Sequence, residues 1–87
     1  MNLKRLKEND VNLEEIIYEM IDETREGQFD YEEIDHLTLE GATKVIIRMF
    51  WEKVEGIYGK VIPISIKKRW ENEVYETCAT FVEENHD

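Results

Sequence analysis

Three groups of residues have the side chains that do chemistry. In "YEEIDH", Glu32 and His36 stand four apart with Asp35 beside the histidine. On a helix they would share one face, where a carboxylate and an imidazole could ligate a metal ion. The pattern lacks the second histidine of a His-Glu-x-x-His site, and His86 is the penultimate residue, so it reads as a solvated polar turn. Cys78 is the only cysteine and falls within the apolar spacing Ile66, Trp70, Val74, Thr77, Cys78 and Phe81. A reactive thiolate needs a cationic neighbour or a helix N-terminus; a cysteine inside an apolar stripe is a small core hydrophobe.

The third group is the 21 Asp and Glu. General acid–base catalysis requires a pocket that separates the pKa values of two such groups, and no spacing here defines one. There is no Gly-x-Ser-x-Gly elbow and no phosphate-cradling glycine loop. "GIYG" at 56–59 matches the first half of a nuclease motif whose second half is missing. The expectation is a protein that is not an enzyme and carries no cofactor or metal.

What the carboxylates do have is concentration. Residues 12–40 hold eleven acids against one base, Arg25, and the charge of the whole chain, −10, is distributed in blocks. Residues 1–7 are net +3, 8–40 net −12, 41–69 net +5 and 70–87 net −6. Surface helices commonly gain a few tenths of a kcal/mol from each Glu–Lys pair at i, i+4, and like charges at that spacing cost as much. Glu15 with Glu19 and Asp22 with Glu26 are such like pairs.

The elements that position these residues follow from apolar periodicity. Leu13, Ile16, Ile17, Met20, Ile21 and Thr24 mark an amphipathic helix that Asn12 caps and Gly27 ends. Glu15, Glu19, Asp22, Glu23 and Glu26 fall opposite that stripe. Asp30 with Glu33 reads as a capping box for a short helix through about Leu37, and Thr38 as the cap of a helix over 39–58. That helix carries two apolar stripes, one of Ala42, Val45, Ile46, Met49, Phe50 and Ile57, the other of Ile47, Trp51, Val54 and Tyr58. Lys44, Arg48, Glu52 and Glu55 form its narrow polar strip. A helix so apolar is central to its domain or shared with another chain. "KVIPISI" reads as a strand or, through Pro63, as the first turn of a last helix.

Residues 1–87 are thus expected to form one domain, an all-α bundle of three main helices plus one or two short ones. The alternative is α+β, with "HLTL" and "KVIPISI" as two short strands. A single cysteine suits a reducing, cytoplasmic setting, no apolar run has the ~20 residues of a membrane span, and "MNLKRLKEND" lacks the apolar core of a secretory signal. Negative charge excludes direct attraction to nucleic acid or anionic lipid and favours a basic protein.

The functional expectation is an acidic protein-binding inhibitor that occupies the basic groove of a nucleic-acid-handling protein: a nuclease, a restriction enzyme or an RNA-guided effector. Rows of carboxylates on a rigid helix would stand in for phosphates. In size and charge the chain resembles small acidic inhibitors encoded by phages and mobile elements, which implies an anti-defence role by DNA mimicry. The expected contact residues are Glu15, Glu19, Asp22, Glu23, Glu26, Asp30, Glu32, Glu33, Asp35 and Glu40, with Trp51 and Tyr58 as interface aromatics. Two alternatives accompany it: a homodimer or other accessory assembly through helix 39–58, and an immunity-type protein that neutralises a basic toxin.

Overall fold

The computed structural model describes residues 2–31 and 33–86, with side chains from Leu13 onward. Three helices account for most of the chain: α1, Asn2–Arg25; α2, Leu39–Tyr58; and α3, Ile64–Asn85. Each packs on the other two, and the molecule measures 51 × 22 × 18 Å. There is no strand among the described residues, so the all-α reading holds at the level of a three-helix bundle and the two-stranded alternative does not form.

The helices run up, down and up. At one level Glu14 of α1 pairs with Arg69 of α3 at 3.3 Å, and Tyr18 meets Trp70 edge to face at 4.8 Å. Further along, Thr24 and Arg25 lie beside Thr77 and Phe81. The α1 and α3 helices are therefore parallel, with α2 antiparallel to both.

Asn12 does not cap α1, which begins ten residues earlier. The preceding segment is rich in Leu, Lys, Arg and Glu and has neither Gly nor Pro, so helix propensity continues through the asparagine. The other end follows expectation. Gly27 sits at φ 76°, its N–H donates to the Thr24 carbonyl at 3.1 Å and that of Gln28 to Glu23 at 2.8 Å. That is a Schellman closure, which needs a residue in the left-handed region. Leu13, Ile17, Met20, Ile21 and Thr24 are buried. The Thr24 hydroxyl donates to the Met20 carbonyl at 2.7 Å, which removes the cost of burying it.

The short helix expected over Asp30–Leu37 is absent among the described residues. The segment runs irregularly and makes one turn, where the Leu37 N–H donates to the Ile34 carbonyl at 3.0 Å. Phe29 and Ile34 are both buried, and contacts with α3 hold the segment in place of local helical hydrogen bonds. The segment is fastened to the end of α3 by Tyr31 and Phe29 against Phe81 and by His86 Nε2, 2.6 Å from the Leu37 carbonyl.

Thr38 caps α2, its hydroxyl accepting from the Gly41 N–H at 3.0 Å. Gly59, at φ 82°, closes the other end with its N–H on the Glu55 carbonyl at 2.8 Å. The α2 helix is central, as its two stripes imply: Ala42, Ile46, Phe50, Trp51 and Val54 are buried, whereas Ile57 is 62 % exposed. "KVIPISI" resolves in favour of helix. Pro63 occupies the N-cap position of α3, where its missing N–H costs nothing. Glu55 secures this connection twice, accepting from the Ile62 N–H at 3.2 Å and pairing with Lys67 at 3.7 Å. Trp70, Val74, Thr77, Cys78, Phe81 and Val82 complete the core from α3.

Candidate functional site

Helix geometry decides which carboxylates act together. Relative to the buried stripe of α1, Glu15, Glu19, Asp22, Glu23 and Glu26 occupy the outward arc, spread over about 100°. All five are exposed, and none has an ion-pair partner among the described residues. From Glu15 to Glu26 the row runs about 16 Å, at 1.5 Å per residue. The one base in this stretch, Arg25, faces α3, beside Glu76 and Glu84, and does not interrupt the row.

The remaining expected contact residues are placed less uniformly. Asp30 and Glu33 are exposed on the connection after α1. Asp35 is exposed and engaged in an interaction of its own, and Glu32 lies outside the described residues. Glu40 stands apart from the α1 row. It belongs to the seam between α2 and α3, near Leu39, Thr43 and Tyr75, and pairs with Lys44 at 3.9 Å. Trp51 is 8 % exposed, packed edge to face on Phe50 at 5.2 Å, and so offers little area to another molecule. Tyr58 is half-buried against the core.

Charge elsewhere on the bundle is of two kinds: Glu71, Glu73, Glu76, Glu83 and Glu84 of α3 are also exposed and without an ion-pair partner among the described residues, whereas α2 carries ion pairs along its length. On α2, Lys44 pairs with Glu40, and Arg48 with Glu52 at 3.4 Å. Lys60, Lys67, Lys68 and Arg69 gather around the α2–α3 turn. The outside of α1 is thus an anionic flank, α3 carries a further set of acids, and among the described residues the α2–α3 turn holds the largest group of cations.

The cysteine and the two histidines occupy different settings. Cys78 is fully buried, and burial pushes its thiol from an ordinary 9.0 up to about 12, so the thiolate is not available at neutral pH. His36 is exposed and His86 engages a backbone carbonyl. Among the described residues no group of three His, Cys, Asp or Glu could hold a metal ion, and no helix is long and apolar enough to cross a membrane.

One feature of this flank has no periodic signal in the sequence. Between α1, the connection after it and the end of α2 lies a groove of about 310 Å³, lined by Met20, Glu23, Phe29, Asp30, Lys53 and Ile57, with Gly56 and Gln28 completing it. Glu23 and Asp30 belong both to the groove and to the acidic set. Three separate segments build it, so no single window of sequence reveals it.

The chain matches no protein-family model, no curated protein and no solved structure. The functional reading therefore rests on the site itself.

Proposed function

We propose that this chain is a protein-binding inhibitor whose α1 face captures a basic, nucleic-acid-handling protein and competes with the nucleic acid for its groove. The observation that carries the reading is the outward arc of Glu15, Glu19, Asp22, Glu23 and Glu26, exposed, contiguous and without cationic partners among the described residues. A merely solvating face gains from interleaved lysines; this one omits them and keeps its field for another molecule. A rigid row of anions steers a cationic groove toward it and raises the association rate in a salt-sensitive way. The contact set centres on those five residues, extended by Asp30 and Glu33. Glu40, at the α2–α3 seam, is the least suited member.

Assembly through α2 has less support. All of both apolar stripes except Ile57 is buried or half-buried within the chain, leaving Ile57 as the one large hydrophobic residue of α2's last turns that is mainly exposed. Its strip bases, Lys44 and Arg48, are already paired along their own helix.

The test is competition. Purified nucleases, restriction enzymes and RNA-guided effectors are assayed for DNA or RNA binding at low salt, with the native protein and with a Glu15→Lys, Glu19→Lys, Asp22→Lys, Glu26→Lys variant. The expected result is displacement of nucleic acid from at least one of them, weakened by about 100-fold or more in the variant, since each close charge pair across an interface contributes on the order of 1.5 kcal/mol or more. Equal inhibition by a correctly folded variant would show that the face is wrongly assigned. Inhibition of none of them would remove the proposal.

A further inference from the structure

We propose that the groove of Met20, Glu23, Phe29, Asp30, Gly56 and Ile57 receives one apolar side chain of the partner, from a segment in which that residue is flanked by Lys or Arg. The inference rests on the acidic-face reading above and adds to it a hydrophobic anchor.

Three observations converge on it. The first is composition. Met20 and Phe29 are buried side chains that reach the groove, and Ile57, 62 % exposed, stands on its α2 wall. The second is charge. Glu23 and Asp30 line the groove, and Glu19 and Glu26 lie within one turn of Glu23 on the same outward arc. Its one cation, Lys53, is half-buried with its ammonium 5.5 Å from the centroid of the Phe29 ring, where the ring face holds it. An apolar residue with no charged neighbours would leave these carboxylates unmatched, whereas flanking Lys or Arg would pair with them.

The third observation is Gly56. It lies within α2 at a helical φ, and a Cβ placed on it would meet nothing within 4 Å. Neither backbone conformation nor internal packing calls for glycine there, and the residue lowers helix stability. Its effect is to leave the groove wall open down to the backbone of α2, which admits a close approach from outside.

The test uses two short fluorescent peptides of alternating Arg and Lys, one with a central Phe and one with a central Ser, titrated into the full chain at low salt. The Phe peptide is expected to bind about 10-fold tighter, the discrimination one buried apolar group supplies. Gly56→Leu, which fills the groove, should erase that difference and leave binding of the Ser peptide unchanged. Methyl NMR on the native chain provides the same answer without a variant: the Phe peptide, and not the Ser peptide, should shift the Met20 and Ile57 methyl signals. Equal affinity for the two peptides, with no selective methyl shift, overturns the anchor and leaves the acidic face standing. Failure of both peptides to bind overturns the anchor together with the acidic-face reading. A change in oligomeric state on Gly56→Leu, with peptide discrimination intact, would make the groove a contact between copies and also overturn the anchor.

Discussion

Cys78 illustrates how a residue with reactive chemistry is silenced by its address. Among Val74, Phe81 and Val82 in the core, its thiol has no cation or helix N-terminus to stabilise the anion, and burial pushes it up to about 12. Folding therefore favours the protonated form. The unfolded chain begins to lose the proton near pH 9.0 while the native chain keeps it, so the thiol's contribution to stability is complete below pH 9 and is lost as pH rises toward 12. The expected outcome is that an aromatic disulfide reagent at pH 8 leaves the native protein untouched and labels it stoichiometrically in denaturant. Rapid native labelling would mean that the α3 stripe opens readily. The sequence already pointed this way, because the apolar spacing around Cys78 is unbroken. Phe29 and Ile34 were illegible by the same method: their burial comes from a connection folding back over α1 and α3, and no period of two or 3.6 announces such a path.

At the scale of the element, α1 shows a conflict between stability and the proposed use of its outer face. Glu15, Glu19 and Glu23 stand at successive four-residue steps, each repelling the next. Replacing the middle one, Glu19→Lys, turns two repulsions into two attractions. The free protein should gain about 0.5–1 kcal/mol, summed from a few tenths per pair gained and repulsion removed, read as a higher urea midpoint at unchanged slope. The same substitution should weaken capture of a basic partner. A variant that is both more stable and fully competent would mean that the row serves only solubility. The elements were largely legible because their ends carry local chemistry. Thr38 and Gly27 each do at their positions what their side chains, or lack of one, permit, and α2 spans the expected 39–58. The start of α1 was missed because Asn12 could cap a helix but was not obliged to end one. The helix over Asp30–Leu37 was overcalled because a capping box satisfies only local hydrogen bonds, and contacts of Phe29, Tyr31 and the Leu37 carbonyl with the end of α3 hold the segment instead.

The whole molecule carries net charge −10 on a frame 18–22 Å thick, too thin for its charges to lie many Debye lengths apart in dilute buffer. Self-repulsion therefore opposes folding. Raising NaCl from a few millimolar to about 1 M, where screening acts beyond ~3 Å, should raise the melting temperature by several degrees. A melting temperature that falls would show that ion pairs such as Glu14–Arg69 and Glu55–Lys67 outweigh the repulsion. The same salt should slow capture of a cationic partner, so stability and association would move in opposite directions in one titration. Global charge and the block pattern were legible from composition. Their resolution into an anionic α1 flank, a further set of exposed acids on α3 and a cationic α2–α3 turn needed the packing, since sequence blocks do not say which helix faces lie outward.

The edge of Tyr18 against Trp70 gives the bundle a built-in optical reporter. The pair bridges α1 and α3, while Trp51 sits on α2 over Phe50. With Trp51 replaced by Phe, all indole emission would come from the seam that α1 must leave if it detaches. Light absorbed by the tyrosine would pass to its neighbour only while that seam is closed. Undocking of the first helix could then be followed separately from melting of the other two, in the unlabelled molecule.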